Sequence, residues 1–295
     1  MSKKTIFKGA ATALITPFRD GKVDFVALGN LIDLQIGCGI DALVICGTTG
    51  ESCTLSDSEH RSVLDFALKR ADGKVPMIAG TGSNDTAHAV EMSKYAAGLG
   101  YDGLLVVTPY YNKATERGLI KSYVTIADAS PCPIILYNVP SRTACNITLT
   151  VYRRLSEHEN IVAVKEASGS ISQVAELICE CGDKLDVYSG NDDQTLPILS
   201  LGGSGVISVV SNVIPREMSE LCHKWFDGDI KECRRLHEKY FKLMKMMFCE
   251  VNPIPVKTAC GIMGLCSSEM KLPMCEIGED NRKKLRNVLK EYEII

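Results

Sequence analysis

No stretch of this 295-residue chain approaches the ~18 consecutive apolar residues of a membrane-spanning helix, so no span is expected. An excess of one charge is missing too. Lys and Arg number 33 against 36 Asp and Glu, a net charge of −3 with no long run of either sign. That is a poor footprint for a nucleic-acid or membrane-surface binder. The 13 cysteines include no CxxC pair and no Cys/His cluster. They fall mostly within apolar segments such as "ALVICG" and "ELICE", which reads as buried reduced thiols in a cytoplasmic protein and not as a disulfide framework. His60, His88, His158, His223 and His237 show no metal-ligand spacing, so neither a metal nor a cofactor is expected. No low-complexity linker divides the chain. The opening "MSKKTIFKGAATALITPFRDG" imitates a signal peptide, but threonines, Pro17 and Arg19 interrupt its apolar part, and it reads better as a first strand.

What is present is a regular beat of short apolar runs: "ATALITPF", "DALVICG", "PMIAGTG", "GLLVVTPYY", "PIILYNVP", "IVAVKEAS", "DVYSGND" and "GVISVVS". Between them lie stretches of helical period, such as "SDSEHRSVLDFALKRA" and "DTAHAVEMSKYAAGLG". Strand–helix alternation repeated through eight strands predicts an α/β fold, the (β/α)8 or TIM barrel. "REMSELCHKWFDGDIKECRRLHEKYFKLMKMMF" and much of 256–295 are helical in pattern. The expected organisation is a catalytic barrel over 1–225 with a helical C-terminal extension over 226–295, the two forming one compact unit.

One strand breaks its own pattern. "IVAVKEAS" is β-branched and apolar until Lys165. A buried ammonium is costly, and the usual escape is a lowered pKa that leaves a neutral, nucleophilic amine; the plainer alternative is a lysine at a strand end whose head reaches water. In a parallel barrel the chemistry sits at the C-terminal ends of strands. Those ends bring Thr48 and Thr49, Tyr110 and Tyr111, Tyr137 and Asn138 with Arg142 just beyond, then Lys165, Ser189 with Gly190, and Ser208. A neutral amine can form a Schiff base with a ketone or aldehyde, tyrosines can relay protons, and an iminium can lose a neighbouring proton to become an enamine. "CGTTGES" runs from a strand towards an expected helix start and suits a small carboxylate. An α-keto acid such as pyruvate fits this set, with Arg142 available to a second carboxylate. Each element also has a plain reading: a glycine-threonine turn, tyrosines packed at a barrel rim, a surface arginine.

Other features carry less. "GLGYDG" matches G-x-G-x-x-G but precedes a strand instead of leading from one into a helix, which fails the dinucleotide condition. "GNDDQ" offers adjacent carboxylates expected on opposite faces of a strand, and "NIT" at 146–148 is a glycosylation acceptor of no consequence in the cytoplasm.

Taken together, "GTTGES", "TPYYN", "LYNVPSRT", "VKEAS" and "NPIPVK" resemble the dihydrodipicolinate synthases (4-hydroxy-tetrahydrodipicolinate synthases), within a superfamily of Schiff-base pyruvate aldolases and lyases. The resemblance covers essentially the whole chain. It implies a (β/α)8 barrel with a helical C-terminal part, a homotetramer, and condensation of pyruvate with L-aspartate 4-semialdehyde. By resemblance, Lys165 forms the Schiff base, and Tyr137 donates and accepts protons in a relay with Thr48 and with Tyr111, the last reaching in from a neighbouring subunit. Thr49 and the backbone of Ile207 hold pyruvate, Gly190 lines the site, and Arg142 positions the second substrate. Arg142 and the "GTTGE" form set the chain apart from sugar-acid aldolases of the N-acetylneuraminate lyase or 2-keto-3-deoxygluconate type, the alternative reading. A non-catalytic small-molecule sensor would be expected to lose Lys165 or Tyr137, and both are kept. The resemblance further implies an L-lysine effector site at Ser52, Asp57, His60, Asn84, His88 and Tyr110. Two of these depart from the family: Asp57 stands where some sensitive members have histidine, and His88 where a glutamate would face the effector's ammonium.

Overall fold

The computed structural model describes residues 3–295. Each of the eight apolar runs overlaps one strand of a closed barrel, the first strand starting two residues ahead of its run. In chain order the strands are β1 (Gly9–Ala13), then a small antiparallel pair outside the barrel, β2 (Phe18–Arg19) and β3 (Lys22–Val23). They continue as β4 (Ala42–Ile45), β5 (Met77–Gly80), β6 (Gly103–Val107), β7 (Ile134–Asn138), β8 (Ile161–Glu166), β9 (Asp186–Ser189) and β10 (Gly205–Ser208). The barrel order is β1-β10-β9-β8-β7-β6-β5-β4. Parallel strands covered by helices are buried on both faces, which explains why they read as continuous apolar runs.

By chain contacts the molecule divides into two compact units, one made of the segment up to Gly9 with Pro76–Ile207, the other of Ala10–Val75 with Ser208–Ile295. In the first, β5 to β10 pair in parallel, and the register runs Val107 to Tyr137, Tyr137 to Lys165, and Lys165 to Tyr188. Helix Thr86–Leu99 begins where the Asp85 side chain accepts from the Ala87 amide and stops at Gly100 in a left-handed conformation. Two fully buried tyrosines in this unit each donate to a carbonyl: Tyr123 to that of Val106 at 3.1 Å and Tyr188 to that of Phe7 at 2.6 Å. Burial pushes both phenols up, so they stay protonated donors.

In the second unit β1 pairs in parallel with β4, Ala11 opposite Ala42 and Ala13 opposite Val44. Buried amides knit its core: Gln35 accepts from the Thr12 hydroxyl at 2.6 Å and donates to the Ser211 carbonyl at 2.9 Å. Asn212 accepts from the Ile15 amide and donates to the Ala13 carbonyl. The long charged stretch after the eighth strand is two helices, Pro215–Phe226 and Ile230–Met246, parted near Gly228, whose φ is +81°. The stretch from 256 is less helical than its pattern: helices Ile254–Ile262 and Glu279–Glu291 flank an irregular segment containing Gly264 and Pro273. Among the described residues no helix is long and apolar enough to cross a membrane. All 13 cysteines are free; seven are buried, and only Cys53, Cys179 and Cys275 are exposed.

Helix Asp57–Ala71 starts in a capping box, with the Ser56 hydroxyl on the Glu59 amide and the Glu59 carboxylate on the Ser56 amide. The Lys271 ammonium, 2.5 Å from Glu59, holds this carboxyl below its ordinary range, helped by the Ser56 bonds. A depressed folded pKa stabilises above the unfolded value and is lost as pH falls through the folded one. Glu59→Gln should therefore cost about 0.5–1 kcal/mol at neutral pH. The gap to wild type should narrow as pH falls through the carboxylate range, as read by denaturant melts across pH.

Candidate active site

Lys165 and Tyr137 are register partners on neighbouring strands. The lysine is 4% exposed and the tyrosine 6%, with Nζ 4.5 Å from the ring centroid. Among the described residues Lys165 makes no ion pair or hydrogen bond through Nζ; its neighbour is the aromatic face. Alternation along β8 turns the next residue, Glu166, to the helix-covered side. There its carboxylate accepts from the Tyr152 hydroxyl at 2.7 Å, the Ser168 amide at 2.7 Å and the Asn138 amide group at 3.1 Å. Asn138 also accepts from the Ile147 amide and donates to Asn146. Burial first, and the nearby carboxylate second, push the Tyr152 phenol up, keeping it a donor. This satisfied network fixes the ends of β7 and β8 from behind, and so the direction in which Lys165 and Tyr137 point.

The neighbouring strand ends are fixed as tightly. The Gly190 amide donates to the Glu166 carbonyl at 2.8 Å, and a Cβ there would lie 2.6 Å from the Ala167 Cβ, so only glycine fits. Ile207 is buried within β10. Arg142 is exposed on the one-turn helix Pro140–Thr143. The Thr143 hydroxyl anchors that turn by accepting from Thr108 at 3.0 Å and donating to the Cys145 carbonyl at 3.0 Å. Tyr111 is 92% exposed with φ +73°, a left-handed conformation that a tyrosine rarely takes, while Tyr110 is half-buried. Asn84 and His88 stand at the start of helix Thr86–Leu99, and the Asn84 carbonyl accepts from Asn112, two residues past Tyr110.

In the other unit, Thr48 and Thr49 follow β4 in a tight turn. The amides of Gly50 and Glu51 bend back onto the carbonyls of Gly47 and Thr48, at 3.0 and 3.1 Å. A Cβ on Gly50 would crowd the Leu14 carbonyl at 3.1 Å and the Cys46 Cα at 3.2 Å. The turn does not lead straight into an α-helix, as the sequence had suggested. Glu51 is left-handed at φ +55°, Ser52–Thr54 form a short 3-10 turn, and the helix begins only at Asp57. The Thr48–Thr49 turn is therefore not placed at a helix terminus. Ser52 lies in the 3-10 turn, Asp57 opens the helix, and buried His60 follows three residues later on the same face. "GNDDQ" likewise differs from expectation: Asp192–Gln194 form a 3-10 turn beyond β9, outside any strand.

Residues given no role in the sequence prove to support this turn. Asn252 donates to the Thr49 hydroxyl at 3.0 Å. Glu51 receives the fully buried Lys257 ammonium at 2.5 Å and the Lys271 amide at 3.1 Å. Lys257 also lies 3.9 Å from the Phe18 ring centroid. Burial pushes the Lys257 pKa down, and the Glu51 carboxylate opposes that shift. The signal for Glu166 was the one that exposed Lys165, a charge inside an apolar strand. Asn252 and Lys257 sit in "NPIPVK", far from the strand ends in sequence, where spacing gives no hint of them. Among the described residues no group of three or more His, Cys, Asp or Glu is placed to hold a metal.

The model of the dihydrodipicolinate synthetase family matches residues 6–292. The chain is 49% identical over 290 residues to the 4-hydroxy-tetrahydrodipicolinate synthase of Geobacter metallireducens, covering 98% of this chain and 100% of that one. Among solved structures it is similar to the dihydrodipicolinate synthase of Acinetobacter baumannii complexed with pyruvate, at 42% identity and a TM-score of 0.96, covering 99% of this chain and 100% of that one. It is also similar to the enzyme of Cyanidioschyzon merolae with lysine bound, at 39% identity and a TM-score of 0.95, covering 99% and 100%.

The Glu51–Lys257 pair has a clear stability consequence. Lys257→Met leaves a buried carboxylate without its cation, which should cost about 3–5 kcal/mol in urea unfolding. Glu51→Leu combined with Lys257→Met should recover a large part of that loss, since no unpaired charge remains.

Proposed function

The chain belongs to the dihydrodipicolinate synthetase family, and on that premise we propose that it joins pyruvate to L-aspartate 4-semialdehyde through a Schiff base on Lys165. The activity is that of a 4-hydroxy-tetrahydrodipicolinate synthase, a lyase of lysine and diaminopimelate biosynthesis. The observation that carries the assignment of Lys165 is the contrast between two buried lysines. Lys257 is neutralised by a carboxylate at 2.5 Å, whereas Lys165 faces only the Tyr137 ring among the described residues. An amine held out of water and not committed to an ion pair is suited to nucleophilic attack.

In this reading the Lys165 nitrogen adds to the pyruvate carbonyl carbon, and water leaves to give the iminium. Loss of a methyl proton yields the enamine, whose carbon attacks the aldehyde of the second substrate. The new alkoxide takes a proton. The semialdehyde's own amine then adds to the iminium carbon and expels Lys165, closing the ring and restoring the free amine. Tyr137, relayed through Thr48 and Tyr111, moves the protons of these steps. By the family resemblance, Thr49 and the Ile207 backbone hold pyruvate, and Gly190 lines the site. Arg142 takes the carboxylate of the semialdehyde in the paired geometry that guanidinium favours. The exposure of Tyr111, 92% in the single chain, agrees with a residue that acts in a neighbouring copy, and a homotetramer is the assembly this reading assigns.

The same reading makes L-lysine an inhibitor, bound by Ser52, Asp57, His60, Asn84, His88 and Tyr110. His88 supplies no carboxylate to the effector's ammonium, so Asp57 has to serve in part, and the affinity should be modest.

In a coupled assay with pyruvate and L-aspartate 4-semialdehyde, the wild type should turn over and Lys165→Ala should lose at least about 1,000-fold in kcat, the scale of losing a covalent nucleophile. Activity surviving the substitution would reject the role given to Lys165. No turnover by the wild type, with cleavage of N-acetylneuraminate or 2-keto-3-deoxygluconate instead, would favour a sugar-acid aldolase. Titrating L-lysine into the same assay should lower the rate in the millimolar range, and a flat rate there rejects the effector site.

A further inference from the structure

We propose that Asn252 is a positioning residue for the carboxylate of the keto-acid substrate, acting through the Thr49 hydroxyl. The inference rests on the reading above that Thr49, in the Thr48–Thr49 turn, holds pyruvate. Three contacts from the C-terminal segment converge on this turn. The Asn252 amide donates to Thr49 Oγ1 at 3.0 Å, the Lys257 ammonium meets Glu51 at 2.5 Å, and the Lys271 amide donates to the other Glu51 oxygen at 3.1 Å. Asn252 and Thr49 are 5% and 2% exposed, and Glu51 and Lys257 are 5% and 0%.

A threonine hydroxyl has one hydrogen to give and can accept twice. In water that hydrogen rotates to suit its surroundings. Here one lone pair is occupied by a buried N–H donor, so the hydroxyl hydrogen cannot also point at Asn252 and must be directed elsewhere. The polarity is thereby set in advance: Thr49 offers a donor, which an anionic carboxylate requires. Donors fixed before the ligand arrives need no reorganisation when it binds. The Glu51–Lys257 pair plays a separate part. It holds Glu51 in its left-handed conformation at φ +55°, and with it the path of the turn. The C-terminal segment thus sets the donor direction at one end of the turn and the backbone path at the other.

The test is a double-mutant cycle read as half-saturation by pyruvate, measured in turnover and by borohydride trapping of pyruvate on Lys165, followed by mass spectrometry without the second substrate. Asn252→Ala and Thr49→Val should each raise the pyruvate half-saturation about tenfold, the scale of one hydrogen bond to a charged group. The KM for the semialdehyde should stay near wild type. Combining Thr49→Val with Asn252→Ala should be no worse than Thr49→Val alone, because Asn252 then has no hydroxyl to orient. Asn252→Asp, nearly isosteric, should be worse than Asn252→Ala, since its carboxylate draws the Thr49 hydrogen to itself and repels the substrate's charge. Should Asn252→Ala fail to fold, Asn252→Ser supplies the same cycle. Effects that multiply in the double variant, or an unchanged pyruvate half-saturation in a folded single variant, would overturn the proposal. A wild type that neither turns over nor traps pyruvate overturns the functional reading and this inference with it; an active wild type with a multiplicative cycle overturns this inference alone.

Discussion

The register of β7 against β8 is the constraint from which the chemistry of this molecule follows. Tyr137 stands opposite Lys165 and Asn138 opposite Glu166. Because side chains alternate at every residue, that register sends the amine and the phenol to one side, and the asparagine and the carboxylate to the other. A slip of one residue on either strand would exchange the faces. Lys165 would then meet the helices, and Glu166 would take its place. The outward pair opposes this, since the buried Glu166 carboxylate would lose its Asn138 and Tyr152 donors.

Burying charge is costly unless each charged group is answered, and the molecule answers its charges unevenly. Glu166 is saturated with hydrogen bonds, and Glu51 and Lys257 neutralise each other beside the Phe18 ring. Lys165 alone of these four is left with an aromatic face and no counter-charge among the described residues. That imbalance separates a structural lysine from one that can react. It also explains why the supporting groups lie just behind the reactive ones: holding an amine and a phenol in one direction requires satisfied partners on the strand's far side.

Much of the architecture was legible along the chain. Eight apolar runs, each buried on both sides, could be read directly, as could the Ser56–Glu59 and Asp85 helix starts. Lys165 stood out because it places a charge in a β-branched run, and it is buried there at 4% exposure. Glu166 offered the same signal one residue later and went unassigned. The helix expected directly after "GTTGES" begins only at Asp57, because Glu51 takes a left-handed backbone that no local pattern of residues required. Gly264 and Pro273 break the C-terminal helical period that charge and spacing had implied.

By itself, then, the sequence determined the eight barrel strands, the parallel barrel and the family, all of which depend on residues close together in the chain or on short motifs in order. Only the tertiary structure decided that Asn252 bonds Thr49, that Lys257 answers Glu51, and that Glu166 is held by Tyr152 and Asn138. The first two of these contacts join residues some two hundred positions apart, and the last joins neighbouring strands with a covering helix. A hydrogen bond depends on distance in space, to which sequence spacing is blind once the chain has closed into a barrel.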